Sequence, residues 1–277
     1  MNFNETNSRV NIKPELMTDK VKEVLNFEKE DNKAVVLSSG GLDSLVVLKY
    51  AIERFGAENV VTLDAFYGQN HAIEMSCSKR IAEHFGVRRV TIDISSIFQY
   101  SDSAMLKKNG DKIIHKSYYE QIYGPNGTRA KKTVSTYCPN RNSILIQSAG
   151  AIALSFGARY VLIGAHADDA AGNAYKDCTR SFFEASKKAL EEGTDPEVTL
   201  LDPIIDCSKT ENVTIGLALG LTEDEFAMSF SCYDPIPVFE EGNLIGYKQC
   251  GSCGTCIDRI EALNSNKLNT FSDKIYS

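Results

Sequence analysis

The sequence lacks three features that would place the protein in a membrane, outside the cell or along a nucleic acid. Its longest apolar stretch, residues 143–158, is interrupted by Gln147, Ser148 and Gly150, which predicts a buried helix and no membrane span. Residues 1–11 are polar and contain no apolar core of a secretion signal, so we expect a cytoplasmic protein. The net charge of −7 argues against direct binding of nucleic acid.

The chain also has no internal repeat and no low-complexity segment. With 43% hydrophobic and 24% charged residues, its composition is that of a globular protein. Composition and pattern predict three segments: a polar N-terminal arm or helix at residues 1–32, an α/β domain at residues 33–220, and a helical metal-binding segment with a tail at residues 221–277.

Short apolar runs alternate with segments of helical spacing along the middle of the chain. The runs at 34–38, 60–67, 90–94 and 160–164 are rich in β-branched residues and predict strands. Helical patterns follow the first two of these runs, and another precedes the last. This repeated order predicts the α/β class, with a doubly wound and mostly parallel sheet.

The most informative segment lies between the first predicted strand and its helix, and reads Ser39-Gly40-Gly41-Leu42-Asp43-Ser44. Glycines let the backbone approach an anion, and the N–H groups of a helix N-terminus attract one. Ser39 and Ser44 add hydroxyl donors. The spacing matches neither Gly-x-x-x-x-Gly-Lys-Ser/Thr nor Gly-x-Gly-x-x-Gly. The segment therefore predicts another kind of phosphate cradle, and the alternative is a glycine-rich turn without a ligand.

Four of the eight cysteines are grouped towards the end of the chain. Cys250, Cys253 and Cys256 are separated by two-residue gaps, and Cys232 lies upstream. Four thiolates suit tetrahedral Zn²⁺ and close its coordination shell, so the role of the metal would be structural. A four-iron cluster also takes four cysteines, and unligated thiols are the third possibility.

These two motifs together resemble those of the 7-cyano-7-deazaguanine synthase (QueC) family of PP-loop ATP pyrophosphatases. The segments between them resemble the family in the same order: Tyr67-Gly68-Gln69-Asn70-His71, Tyr137–Asn142, Gly164–Asp169, Asp177-Cys178, Lys209-x-Glu211 and Ser231-Cys232-Tyr233. The resemblance covers residues 33–262. It implies an adenine nucleotide alpha hydrolase-like fold with a C-terminal zinc-binding subdomain.

The resemblance also implies a reaction. In that family ATP adenylates 7-carboxy-7-deazaguanine, ammonia converts the acyl-adenylate to an amide, and a second ATP activates the amide for loss of AMP to the nitrile. The implied enzyme is an ATP-dependent ligase that forms a C–N bond and uses ATP, Mg²⁺ and structural Zn²⁺. Its implied partners are the deazaguanine, ammonia and a second copy of the chain.

Site residues carry over by position in these motifs. The implied ATP-binding residues are Ser39, Gly40, Gly41, Leu42, Asp43, Ser44 and Leu63. The implied catalytic residues are Asp43, Ser44 and Arg141, and the implied zinc ligands are Cys232, Cys250, Cys253 and Cys256. The implied substrate-binding residues are Gln69, His71, Arg141, Asn142, Asp169, Asp177 and Cys178. Asp43 could hold Mg²⁺ or cap its helix, and Arg141 could bind an oxyanion or form a surface ion pair.

One segment departs from the family pattern. Tyr-Pro-Asp-Cys-Arg of the family reads Tyr175-Lys176-Asp177-Cys178-Thr179 here, so the proline is lost and the arginine is displaced to Arg180. The arm before the first strand is also longer. These changes raise an alternative, a QueC-like ligase that joins the activated acyl group to an amine of a partner protein, as in antiphage CBASS operons. A third possibility, a nucleotide-binding module without catalysis, is disfavoured by the intact loop around Asp43.

Overall fold

A parallel sheet forms the centre of the protein in a computed structural model that describes residues 12–69, 73–106, 109, 113–123, 126–129, 131–170, 174–269 and 274–276. Its strands are β1 (Ala34–Leu37), β2 (Val60–Phe66), β3 (Arg88–Asp93), β4 (Tyr160–Leu162) and β5 (Thr199–Leu201). Their order is β3-β2-β1-β4-β5, and each neighbouring pair is parallel. The predicted α/β class with a parallel sheet is confirmed.

Helices connect these strands and follow them. They are α1 (Asp19–Leu25), α2 (Leu42–Phe55), α3 (Ile73–His84), α4 (Tyr118–Ile122), α5 (Arg141–Phe156), α6 (Ala167–Ala170), α7 (Arg180–Gly193), α8 (Lys209–Ala218), α9 (Glu223–Met228) and α10 (Gly254–Ser265). Among these described helices, none has both the length and the apolar character that crossing a membrane requires.

The sheet separates two hydrophobic cores because alternate side chains of a strand point to opposite faces. Ala34 and Val36 of β1 lie in a core shared with α2, α3, α8 and α10. Val35 and Leu37 lie in a second core with α5 and α7. All four side chains are buried, as the continuous apolar run of a central parallel strand requires. Helices therefore cover both faces, which is the doubly wound arrangement.

The segment before β1 is tied to α8. Thr18 caps α1 by accepting a hydrogen bond from the Val21 N–H, and its hydroxyl donates to Glu211 Oε1 at 2.6 Å. Val21 and Leu25 of α1 are buried in the same core as α2 and α8. The described part of the N-terminal arm thus contributes apolar side chains to the main core.

An antiparallel hairpin lies between Cys232 and Cys250, and its strands are β6 (Ile236–Glu240) and β7 (Asn243–Lys248). Near the chain end, Tyr276 pairs with Tyr247 through two reciprocal backbone hydrogen bonds of 2.8 Å. The sequence patterns above did not predict these strands, because their side chains are mostly exposed and give no buried stripe.

Candidate active site

The carboxyl ends of β1, β2 and β4 open into one pocket. In parallel α/β sheets this edge is where ligands bind. Of the ATP-binding residues predicted above, Ser39, Gly41, Asp43, Ser44 and Leu63 line this pocket. The Leu42 side chain is instead fully buried in the core, and Gly40 packs against the backbone of α3.

Residues 39–44 form the loop between β1 and α2. Gly40 has φ of +80°, and a Cβ atom built there would lie 2.3 Å from the Glu74 carbonyl oxygen. The Ser39 and Ser44 hydroxyls are 3.2 Å apart, and the Gly41 N–H donates to Ser39 Oγ at 3.2 Å. The loop thus brings two hydroxyl groups and the N-terminus of α2 to the pocket, an arrangement that suits an anion.

Replacing Gly40 by alanine should destabilise the fold and weaken ATP binding together. The positive φ costs a non-glycine residue about 1–2 kcal/mol, and the clash with the α3 backbone adds about 1–3 kcal/mol. Gly86→Ala is the matched control, since Gly86 has φ of +66° but a Cβ atom added to it would meet nothing within 4 Å. Urea unfolding and ATP titration of both variants measure the difference. Equal loss of stability in the two variants would contradict the close packing of Gly40.

Asp43 is the centre of a charge network in which Lys209 and His166 are buried and the two carboxylates border the pocket. Its Oδ1 accepts a hydrogen bond from Asn212 Nδ2 at 3.1 Å, and its Oδ2 lies 3.3 Å from Lys209 Nζ. His166 Nε2 lies 3.5 Å from Asp43 Oδ2 and 3.3 Å from Asp169 Oδ2. Two carboxylates therefore face two cationic side chains, and the four charges balance.

The pKa values in this network follow from that arrangement. Burial opposes ionisation of Asp43, but Lys209 and His166 hold the pKa of its carboxyl far below the usual range. Burial also disfavours a charged imidazole, yet Asp169 and Asp43 raise the pKa of His166 to about 9. At neutral pH the site therefore holds a carboxylate, an imidazolium and an ammonium group.

A second part of the site forms where α5 begins. Arg141 lines the pocket, and its Nη1 lies 3.4 Å from the Tyr67 hydroxyl with the guanidinium 5.3 Å from the Tyr67 ring centre. Arg141 forms none of the ion pairs found among the described residues, so the surface ion pair considered above is not what the structure shows there. Its Nη1 donates to Tyr67 and to Met105 Sδ, whereas its Nη2 has no hydrogen-bond partner among the described residues and is available to an oxyanion.

The remaining predicted substrate residues have three different outcomes in the structure. Gln69, Asn142, Asp169 and Cys178 line the pocket. Asp177 lies behind it among the described residues, where its Oδ2 accepts from the Asn142 N–H at 3.1 Å. His71 falls outside the described residues.

Two of these side chains already bond to the backbone. Gln69 Oε1 accepts from the Tyr67 N–H at 2.8 Å, and its Nε2 donates to the Ala65 carbonyl at 3.2 Å. Asn142 Nδ2 donates to the Asp177 carbonyl at 2.9 Å. Gln69 therefore shapes the turn after β2, and Asn142 fixes the segment that follows α6.

The four cysteines of the C-terminal cluster converge. Their Sγ atoms all lie within 4.8 Å of one another, and Cys250 Sγ is 3.9 Å from Cys256 Sγ. Four sulfurs bound to one ion at about 2.3 Å stand about 3.8 Å apart, whereas those of a four-iron cluster bind separate irons and stand farther apart. The Cys250 and Cys253 N–H groups donate to cluster sulfurs at 3.2 and 3.3 Å. The cluster fits a single tetrahedral ion such as Zn²⁺.

The cysteine cluster is continuous with the anion-binding loop. Just before Cys232, the Phe230 N–H donates to the Gly40 carbonyl at 2.8 Å, and Ser231 Oγ accepts from the Leu42 N–H at 3.4 Å. The fully buried Arg259 of α10 donates to Ser231 Oγ at 3.3 Å. A metal in this cluster would therefore support one wall of the pocket.

Sequence reasoning did not assign roles to several groups of the site. Lys209, His166 and Asn212 contact Asp43, yet they lie more than 120 positions away in the chain, so no local pattern reveals the contact. Lys209 and His166 did stand inside segments that resemble the family, and that was the one available signal. Glu74 and Tyr233 also line the pocket without having been predicted.

A parallel sheet with a glycine loop between its central strand and the following helix places the chain among α/β proteins with an anion-binding loop at the sheet edge. The family model described as "Queuosine biosynthesis protein QueC" matches residues 33–267, and the chain belongs to that family. A 7-cyano-7-deazaguanine synthase of Psychromonas ingrahamii is 31% identical over 236 residues, covering 85% of this chain and 95% of that protein. The synthase of Archaeoglobus fulgidus is 33% identical over 235 residues, covering 84% and 87%.

Among solved structures, the U34-tRNA thiolase NcsA from Methanococcus maripaludis aligns with a TM-score of 0.45 and 15% identity. The alignment covers 91% of this chain and 72% of that one.

Proposed function

We propose that this protein uses ATP to activate 7-carboxy-7-deazaguanine, aminates it with ammonia, and converts the amide to 7-cyano-7-deazaguanine with a second ATP. The main observation behind the proposal is that the anion-binding loop and Arg141 line the same pocket. Membership of the QueC family and the names of the two relatives support the same substrate.

The chemistry follows from the poor electrophilicity of a carboxylate. Adenylation joins the carboxylate oxygen to the α-phosphate of ATP and releases pyrophosphate. The acyl carbon then carries AMP as its leaving group, which departs far more readily than oxide. We assign the pyrophosphate to the Ser39 and Ser44 hydroxyls and the N-terminus of α2. Arg141 would neutralise the substrate carboxylate or the α-phosphate, because charge on these oxygens opposes their approach.

Asp43 orients two cations in this scheme. Its oxygens already face Lys209, His166 and Asn212, so this donor set does not suit a further cation on Asp43 alone. Mg²⁺ would be held chiefly by the nucleotide phosphates, whose charge it neutralises. Zn²⁺ would be held by Cys232, Cys250, Cys253 and Cys256, where it crosslinks the segment beside the loop.

One observation favours a second candidate. Arg180 lies at the surface, where its Nε donates to Asp206 Oδ1 at 2.9 Å, and Thr179 caps α7 at the position where the family places its arginine. Among its described lining residues, the pocket therefore has no arginine at the place where the family pattern puts one. A site altered at this point could pass the acyl group to an amine of a partner protein and stop at the amide.

Both candidate functions begin with adenylation of the substrate carboxylate. Exchange of labelled pyrophosphate into ATP, measured with and without that substrate, tests this step. The proposal expects exchange with 7-carboxy-7-deazaguanine and none with 7-methyl-7-deazaguanine, which has no carboxylate to adenylate. Absence of exchange with the carboxylate would refute adenylation. Product analysis then separates the two candidates, since the synthase yields the nitrile and the ligase yields only an amide.

A further inference from the structure

Four carboxyl side chains line the pocket, and three of them are held by neighbours. Asp43 and Asp169 both lie within 3.5 Å of His166 Nε2. Asp64 accepts hydrogen bonds from an arginine and a threonine of β3. The fourth, Glu74, has no hydrogen bond or ion pair to any residue that the structure describes. No described residue therefore occupies its two oxygens, which can accept a proton or an N–H group from a ligand.

Glu74 stands directly beside the anion-binding loop. It lies in the first turn of α3, and its carbonyl oxygen packs against Gly40. It shares the lining of the pocket with Arg141 of α5 and Tyr67 of the turn after β2. Its carboxyl group interacts electrostatically with both of them and with Cys77, one turn further along α3. Burial raises the pKa values of Tyr67 and Cys77, so both are neutral at physiological pH.

Burial also raises the pKa of Glu74, to about 7, although the Arg141 guanidinium acts in the opposite direction. A general base works best when its pKa lies near the working pH. Two other titratable groups of the site, His166 and Asp43, do not meet this condition. His166 already carries its proton with a pKa of about 9, and Asp43 has a pKa far too low to take one.

We propose that the Glu74 carboxylate is the general base that takes the proton lost by the amine when it attacks the acyl-adenylate. The inference rests on the proposed function, because it needs an acyl-adenylate in this pocket. The ammonia nitrogen forms a bond to the acyl carbon, and the bond from that carbon to the AMP oxygen breaks. The electron pair of the broken bond leaves with AMP, and the proton from nitrogen passes to Glu74.

The test separates the two half-reactions in Glu74→Gln. Pyrophosphate exchange should stay close to wild type, because adenylation does not use the base. Amide formation should fall about 10²–10⁴-fold, the usual contribution of a general base. Hydroxylamine is a stronger and less basic nucleophile than ammonia, so trapping of the acyl-adenylate as a hydroxamate should persist. Glu83→Gln, at an exposed position of the same helix, should leave all three rates unchanged.

The pH profile gives an independent readout. At a fixed concentration of free NH₃, the wild-type rate of amide formation should rise as pH increases through about 7, because the ionised form of Glu74 is the active one. In Glu74→Gln this limb should disappear. Glu74→Asp keeps a carboxylate and should recover part of the rate, which guards against a variant that simply fails to fold.

Several outcomes would overturn the assignment. These are loss of exchange and amide formation in parallel, loss of hydroxamate along with the amide, or amide formation unchanged in Glu74→Gln. If the wild-type protein shows no pyrophosphate exchange that depends on 7-carboxy-7-deazaguanine, the proposed function itself is refuted. That result is distinguishable from a defect that appears only in Glu74→Gln.

Discussion

Asparagine in place of Asp43 should abolish formation of AMP, lowering its rate at least about a thousandfold, or about 4 kcal/mol of transition-state stabilisation. The side chain keeps its shape, but Lys209 and His166 lose the carboxylate that lies 3.3 and 3.5 Å from them. One positive charge is then left unbalanced beside the loop, because Asp169 still faces His166. Measurement of AMP release with ATP and the deazaguanine acid tests this. Turnover within tenfold of wild type would remove Asp43 from the mechanism.

The same substitution should also destabilise the fold, because breaking a buried ion pair costs about 3–5 kcal/mol. Lys209→Met in the Asp43→Asn background removes the stranded charge and should restore most of that stability without restoring activity. Asp93→Asn is the control, since Asp93 is bonded to Ser95 at the end of β3 and lies outside the pocket lining of described residues. Urea unfolding of the three variants separates the effect on stability from the effect on catalysis.

Serine in place of Cys253 should release the metal and unfold the protein at the same time. The free energy of binding a structural zinc ion is folding free energy, and it is comparable to the 5–15 kcal/mol of a whole domain, at about 10–16 kcal/mol in zinc-finger peptides. Metal analysis should find zinc in the wild type and none in the variant. Because Phe230 and Ser231 join the cluster to residues 40–42, any folded remainder should bind ATP weakly.

Cys207→Ser is the matched control for the cysteine cluster, since Cys207 is equally buried but lies outside the cluster. It should keep its zinc and lose only about 1 kcal/mol of stability. A soluble Cys253→Ser protein without metal and with normal ATP binding would contradict the structural role. Iron with visible absorbance in the wild type would instead establish an iron–sulfur cluster.

The fold could be predicted largely from the sequence because its signals are local. Residues 34–37 form an apolar run followed at once by glycines and a helical pattern, and each of these features acts within a few residues. The cysteine cluster was equally accessible, since the spacing of Cys250, Cys253 and Cys256 itself brings the sulfurs together.

The partners of the site residues depend on tertiary packing and could not be derived in the same way. Asp177 looked like a substrate ligand by its place in a motif, yet it holds the first turn of α5 through the Asn142 N–H. Glu74 gave no signal, because an acid in the first turn of a helix is common at surfaces. Its place in the site follows from tertiary structure, in which α3 packs against Gly40 and Glu74 lines the pocket.

The most direct test of the account is mass spectrometry of a reaction that contains the purified protein, ATP, Mg²⁺, ¹⁵N-ammonium and 7-carboxy-7-deazaguanine. The account predicts AMP together with 7-cyano-7-deazaguanine that carries the label in its nitrile. An unchanged acid with no AMP formed would contradict it.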